Sequence, residues 1–179
     1  MSAAPKPCPC EGNAPDGAPG PVADDETVIR IVPLRGWLAR NGTGRAELTS
    51  AAFPEDELEG KKGKSASVLR PMTGPVELAR RAAARNREEA WASDPVVARG
   101  LVGPMRQLRD GADRREICIN ADPVTDALGP CSTHASILRS VPLPDRSKRL
   151  ERAKLRLALA SVFIEIAHLS GVPFTDWGV

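Results

Sequence analysis

The chain has 179 residues and a mass of 19.1 kDa, the size of one ordinary domain. Hydrophobic residues make up 41% of it and charged residues 27%, and no apolar run approaches the ~18 residues of a membrane-spanning helix. With three Trp, three Phe and no Tyr, the chain lacks the rings for a surface that stacks single-stranded nucleic acid. The first nine residues have neither a basic cluster nor an apolar stretch, so we expect no secretory signal peptide.

Charge is distributed unevenly along the chain. The formal net charge is +2, but residues 1–60 sum to −5 and residues 61–179 sum to +7. An acidic first third and a basic remainder can pair within one molecule or attract a charged partner. The pI of about 8.4 lies below the range typical of nucleic-acid-binding domains.

The N-terminal segment is rich in Pro, Gly, Ala and Asp and shows no period of 2 or 3.6 residues. This composition predicts a disordered tail over residues 1–26, followed by a single domain over residues 27–179. Without an export signal, we expect a cytoplasmic protein whose four cysteines are reduced.

The first half of the domain predicts strands, turns and one helix. The β-branched residues from Val28 to Leu34 indicate a strand, and Ser65 to Leu69 indicate a second, shorter one. Between them, Asn41 to Gly44 predict a turn, and Pro54 to Lys64 predict a charged loop. A helix is predicted over residues 75–92, because Pro75 suits the first helical position and the segment is rich in Ala.

The second half predicts two strands and a long final helix. Residues 94–112 are apolar but interrupted by Gly and Pro, so no element is assigned there. Glu116–Asn120 and His134–Val141 are typical of strands. A helix over residues 146–169 is predicted from an apolar stripe that includes Leu157 and Ile164. The pattern predicts an α+β fold, a small central β-sheet with two main helices.

Cysteine and histidine provide the weak candidates for chemistry. Cys8, Cys10, Cys131 and His134 are four potential zinc ligands, although Cys-x-Cys is tighter than the usual spacing. Alternatively, Cys131 is a nucleophile and His134 its base, with Asp122 or Asp126 orienting the imidazole. The simplest interpretation is that the cysteines are independent thiols, with Cys118 buried as a small hydrophobic residue. No motif for a cofactor is present.

Basic residues concentrate on the two predicted helices. They are Arg80, Arg81, Arg85, Arg146, Lys148, Arg149, Arg152 and Arg156. Cations at the start of a helix oppose its dipole, so an acidic group must offset the second cluster. The sequence therefore predicts a non-enzymatic binding or adaptor protein that contacts an acidic protein partner through these residues. The alternatives are a sequence-independent nucleic-acid-binding protein and an enzyme that uses Cys131 and His134.

Overall fold

A six-stranded antiparallel sheet forms the centre of the computed structural model, which describes residues 14–61, 64–109, 113–140 and 149–175. The strands in chain order are β1 (Thr27–Val32), β2 (Leu38–Arg40), β3 (Ala46–Leu48), β4 (Ala66–Leu69), β5 (Val96–Leu101), β6 (Ile117–Ala121), β7 (Val124–Asp126), β8 (Gly129–Cys131), β9 (His134–Arg139) and β10 (Phe163–His168). The helices are α1 (Glu55–Leu58), α2 (Pro75–Arg85), α3 (Val102–Arg106) and α4 (Arg149–Ser161). The predicted α+β class is confirmed.

The order of strands in the main sheet is β10-β5-β1-β4-β9-β6. Two short hairpins, β2–β3 and β7–β8, stand beside it. The predicted turn at residues 41–44 closes the first hairpin, where Gly44 has a φ of 82°. Gly44 adopts this φ without steric cost, because it has no Cβ.

The two faces of the sheet are packed differently. One face carries the main core, in which Leu155 and Leu159 of α4 pack against buried residues of the sheet such as Val28 and Ile137. The other face carries a smaller cluster, in which Leu78 of α2 takes part. The sheet is therefore covered unequally, and its second face is where polar groups remain.

The first predicted helix is shorter than expected. It ends at Arg85 rather than at residue 92, because Asn86 leaves the helical conformation with a ψ of 136°. The side chain of Asn86 exchanges hydrogen bonds with the main chain of Glu88. Such local bonding by Asn competes with helix formation. Arg87 follows with its main-chain N–H bonded to the carbonyl of Pro33.

The final helix predicted over residues 146–169 is wrong in its second half. The helix ends at Ser161, and residues 163–168 form β10, which pairs with β5. Ile164, predicted to face the core, is 73% exposed, and Leu157 is exposed as well. The aromatic and β-branched residues of this segment favour a strand once an edge of the sheet is available to pair with.

Residues 94–112, for which the sequence predicts no regular element, contain β5 and α3 in their described part. Gly100 within β5 lies opposite Phe163 in the sheet register. A Cβ at this glycine would lie 2.9 Å from Cδ1 of Phe163 and 2.5 Å from Cε of Met105. The glycine therefore allows close packing within a regular strand, whereas the sequence indicated only that it interrupts regular structure.

The packed chain begins before the predicted domain boundary at residue 27. Val22 is buried, and its carbonyl accepts a hydrogen bond from Arg106. Arg106 also forms an ion pair with Asp24 at 2.5 Å. Arg70 binds both carboxylate oxygens of Glu26, at 2.9 and 2.6 Å. Two buried arginines thus attach the last residues of the predicted tail to the domain.

Candidate functional site

The second face of the sheet is covered by α2 over only part of its width. The apolar residues of β1, β4 and β5 in the cluster beneath α2 are Ile29, Ile31, Leu69 and Val97. In the sheet register, Ser67 lies opposite Ser136, which lies opposite Asn120, and His134 lies opposite Leu69. Residues directly opposite each other share a face. On β4, β9 and β6, this face therefore carries the polar side chains Ser67, His134, Ser136 and Asn120.

A chain of hydrogen bonds links these polar side chains. Ser67 Oγ lies 2.8 Å from Nε2 of His134, and Nδ1 of His134 lies 2.6 Å from the main-chain oxygen of Asp122. The Asp122 carboxylate lies 3.8 Å from Nδ1 and accepts a hydrogen bond from Ser136. Ser136 Oγ is also 2.7 Å from Ser65 Oγ. Because Ser136 gives its single proton to the carboxylate, Ser65 is the donor in this last bond.

The protonation of His134 follows from its partners. A main-chain carbonyl can only accept a hydrogen bond, so Nδ1 carries the proton and Nε2 accepts one from Ser67. Burial lowers the pKa of His134 below its ordinary value. The hydrogen bond to Asp122 and its charge oppose this shift, whereas the charges of Arg85 and Arg81 add to it. The imidazole is therefore neutral at pH 7, with Nε2 available as a base.

A cavity of about 530 Å³ opens beside Ser67. β1 and β4 are paired at Ile29 and Leu69. Residues of both strands, further along from this pair, line the cavity. We call it the β1–β4 cavity. Its lining residues are Arg30, Ile31, Pro33, Leu34, Trp37, Glu57, Ser65, Ser67, Ala84, Arg85 and Arg87. Its wall therefore carries three guanidinium groups against one carboxylate.

Arg30 is the buried cation of the β1–β4 cavity. Its guanidinium lies 5.0 Å from the ring centroid of Trp37 and 4.8 Å from that of Phe53. It donates to the main-chain oxygens of Ser67 and Ala52, and it forms an ion pair with Glu57 at 3.0 Å. Its Nε is buried and has no hydrogen-bond partner among the described residues. Arg30 is thus held rigidly while one of its donors remains unused.

Arg85 and Arg87 differ from Arg30 in being exposed at the C-terminal end of α2. Neither side chain forms an ion pair within the described residues. The charge of Arg85 nevertheless acts on its surroundings, since it contributes to lowering the pKa of both Arg30 and His134. The largest cause in both cases is burial. Positive potential therefore accumulates at the mouth of the β1–β4 cavity.

Four of the six predicted contact residues that the structure describes bond to other parts of the chain. Arg81 is 2% exposed and forms ion pairs with Glu77 and Asp126. Arg80 also pairs with Glu77, at 2.6 Å. On α4, Arg152 forms an ion pair with Glu55.

The remaining predicted contact residues divide into three cases. Arg156 donates to the carbonyl of Ser50, at 2.7 Å from Nη2. Arg149 is exposed and forms no ion pair within the described ranges, like Arg85. Arg146 and Lys148 lie outside the described residues. The acidic groups predicted to offset the α4 cluster are thus supplied in part by α1 of the same chain.

The structure does not pair Cys131 with His134. Both imidazole nitrogens are engaged elsewhere, and Cys131 is buried with its Sγ 3.6 Å from Oγ1 of Thr133. The described residues hold no group of three or more potential metal ligands, and Cys8 and Cys10 lie outside them. Cys118 is buried as predicted, but it is disulfide-bonded, which corrects the expectation of an independent thiol.

The serines of this site were missed in the sequence, although a signal existed. Ser67 and Leu69 alternate along β4, with Ser65 just before the strand, and His134, Ser136 and Leu138 alternate along β9. Alternation places each set on one face of its strand. What the sequence does not contain is the register that brings Ser67 and His134 together across two strands.

Comparison with known proteins provides no guide to function, since no protein-family model, curated protein or solved structure matches the chain. Within the described part of the chain, no helix has the length and apolar character needed to cross a bilayer. Functional inference therefore depends on the geometry of the polar face and the β1–β4 cavity.

Proposed function

We propose that the protein binds a small organic anion in the β1–β4 cavity. The observation that carries this proposal is the imbalance of charge on the cavity wall, where Arg30, Arg85 and Arg87 face the single carboxylate of Glu57. Two of the three cations have no ion pair within the described residues. An anion bound there gains charge-assisted hydrogen bonds from guanidinium groups, which match carboxylate and phosphate oxygens in pairs.

The size and the remaining wall indicate the form of the ligand. A volume of about 530 Å³ falls within the ~300–1,000 Å³ typical of small-molecule sites. Pro33, Leu34 and Trp37 supply an apolar side to the cavity, opposite in character to the cations. A ligand with one acidic group and an apolar or aromatic body satisfies both parts of the wall.

Arg30 gives the β1–β4 cavity a positive charge in a fixed position. Its two ring contacts and its bonds to Ala52, Ser67 and Glu57 leave the guanidinium no freedom to swing away. A donor that is already ordered loses little conformational entropy when a ligand binds. Arg85 and Arg87, being exposed, are the cations that a ligand would order.

The test compares benzoate with benzamide, its neutral analogue, by calorimetry and thermal denaturation. We expect benzoate to raise the melting temperature progressively as its concentration increases, because a ligand that binds only the folded state stabilises it. Benzamide should have no comparable effect. Raising the salt concentration should weaken the benzoate effect, since the exposed cations are screened.

A matched set of variants assigns the effect to the cavity. The double variant Arg85→Gln, Arg87→Gln should lose benzoate binding, whereas Arg149→Gln should retain it. Arg149 is a suitable control because it is exposed and forms no ion pair within the described ranges, yet lies on α4. Equal responses to benzoate and benzamide, or an unchanged response in the double variant, would contradict the proposal.

The functions predicted from the sequence remain proposals that the same experiments separate. For an adaptor that binds an acidic protein, Arg85 and Arg149 are the predicted contacts without an ion pair among the described residues. A poly-glutamate peptide that binds while benzoate does not would favour the adaptor, and duplex DNA that binds at low salt would favour nucleic acid. The cytoplasmic location, predicted from the lack of an export signal, stays a prediction, and the disulfide at Cys118 differs from the reduced cysteines expected in that compartment.

A further inference from the structure

We propose that Ser67 and His134 hydrolyse esters that carry a free acidic group, an inference that rests on the anion-binding function of the β1–β4 cavity. Ser67 lines the cavity, and its hydroxyl donates to Nε2 of His134 at 2.8 Å. The other imidazole nitrogen is held by the Asp122 carbonyl at 2.6 Å. A nucleophile bonded to a base that a third group orients is the arrangement required for nucleophilic catalysis.

The base is in the correct state for this reaction at neutral pH. The hydrogen bond to the Asp122 carbonyl fixes the tautomer in which Nε2 is free of a proton. The charged groups that act on His134 are the carboxylate of Asp122 on one side and the guanidinium groups of Arg81 and Arg85 on the other. A neutral imidazole at pH 7 accepts the serine proton without first having to lose its own.

The hydrolysis proceeds in two stages through an acyl-serine. Ser67 Oγ forms a bond to the acyl carbon of the ester while its proton moves to Nε2 of His134. The bond between the acyl carbon and the leaving oxygen then breaks, and His134 returns the proton to that oxygen, releasing the alcohol. Water, activated by the same nitrogen, attacks the acyl-serine, releases the carboxylic acid and restores Ser67.

The cavity wall supplies the electrostatic part of catalysis. Negative charge develops on the acyl oxygen during each attack, and cationic donors placed in advance stabilise it. Arg30 lines the same cavity and is bonded through Nη1 to the main-chain oxygen of Ser67, which holds its charge beside the nucleophilic residue. Arg85 and Arg87 hold the acidic group of the substrate at the mouth. This division of roles requires a substrate with both an ester and an acid.

Two matched esters test the inference on the full-length chain. Mono-para-nitrophenyl glutarate carries a carboxylate at the end of its acyl chain, and para-nitrophenyl pentanoate has a methyl group there. We expect kcat/KM to be at least roughly tenfold higher for the charged ester, because one charge-assisted hydrogen bond from a guanidinium group contributes on that order. Its value should rise with pH to a plateau, with a midpoint below 6.5, as the neutral form of His134 is populated.

Variants assign the activity to Ser67. Ser67→Ala should reduce hydrolysis of both esters by about 100-fold or more and yet still bind benzoate, which shows that the variant is folded. Arg85→Gln should lower the preference for the charged ester, whereas the control Arg149→Gln, on α4 and outside the cavity lining, should leave hydrolysis of both esters nearly unchanged. Mass spectrometry of the protein quenched with glutarate ester should find the acyl group on the peptide that contains Ser67.

The outcomes separate this inference from the proposed function. If the wild-type protein binds benzoate but hydrolyses neither ester, or if Ser67→Ala is as active as the wild type, the hydrolytic role is overturned and anion binding stands. If the neutral ester alone is hydrolysed through Ser67 and benzoate does not bind, the anion site is overturned instead. An acyl group found on Ser65 rather than on Ser67 would also contradict the assignment.

Discussion

His134 shows how a single residue couples the fold to the polar face. It is 2% exposed, and the Asp122 carbonyl accepts the Nδ1 proton, so Nε2 of the neutral ring accepts the hydrogen bond from Ser67. Protonation of Nε2 would reverse the direction of this bond and place a charge in a buried site. The pKa of His134 is therefore below 6.5, with burial as the largest cause.

His134 makes the free energy of unfolding depend on pH, and the direction of this dependence follows from its lowered pKa. Between the folded-state pKa of His134 and 6.5, the unfolded chain binds a proton that the folded chain does not. The free energy of unfolding should consequently decrease as the pH falls from 7 towards 5. Urea titrations across this range should show a decrease that is smaller in His134→Gln and unchanged in the control His168→Gln. A wild-type stability that rises on acidification to pH 5 would contradict this assignment.

The role of His134 could be predicted only in part from the sequence. The spacing of Cys131 and His134 suggested a nucleophile and its base, with Asp122 or Asp126 as the orienting group, and in the structure the main-chain oxygen of Asp122 lies 2.6 Å from Nδ1 of His134. The serine that His134 contacts is 67 positions away, so no local pattern connects the two. Their proximity results from the pairing of β4 with β9, in which Ser67 lies opposite Ser136.

At the scale of elements, β10 shows where periodicity misleads. The segment from Phe163 to His168 contains apolar residues at helical and at strand spacing, and the helical stripe was the longer pattern. Pairing with β5 decides in favour of the strand, with an irregular register between Phe163 and Glu165. Strands with strong local signals, β1, β4, β6 and β9, were predicted because turns bound them and their β-branched residues have few alternatives.

The revised register makes a prediction at two adjacent positions. Phe163 is 4% exposed and its ring lies 5.4 Å from that of Phe53 in the main core, whereas Ile164 is 73% exposed. Phe163→Ala should lower the free energy of unfolding by about 3–5 kcal/mol, the usual result of truncating a buried aromatic residue. Ile164→Ala should change it by less than about 0.5 kcal/mol, as surface substitutions do. Chemical denaturation of both variants makes the comparison, and a larger loss in Ile164→Ala would restore the helical assignment.

At the scale of the whole molecule, acidic residues of the first third of the chain form ion pairs with basic residues of the remainder. The acidic first third supplies Asp24 and Glu26 to buried arginines of the later chain, and Glu55 to Arg152 on α4. The sequence allowed this pairing as one of two possibilities, because charge counts do not specify contacts. Among the basic residues that this pairing leaves without an ion pair in the described ranges are Arg85 and Arg87 at the end of α2, which line the β1–β4 cavity.

The attachment of the N-terminal segment provides the last prediction, again at two adjacent positions. Glu26 binds Arg70 through both carboxylate oxygens, and the Arg70 side chain is 3% exposed, whereas Asp25 is exposed and forms no ion pair within the described ranges. Burial opposes ionisation of Glu26, but the hydrogen bonds from Arg70 and from the Ala23 main chain lower its pKa overall. Glu26→Ala leaves a buried guanidinium without its counterion, a loss of about 3 kcal/mol or more. For a chain of this size that corresponds to a melting temperature lower by roughly 6–12 °C. Asp25→Ala should change the melting temperature by no more than about 2 °C, since it removes only an exposed charge.

Limited proteolysis provides a second measure, because release of residues 20–26 from Arg70 should expose the chain before β1 to cleavage in Glu26→Ala alone. Equal stability of the two variants would show that the ion pair contributes nothing and that burial of Val22 holds the segment in place.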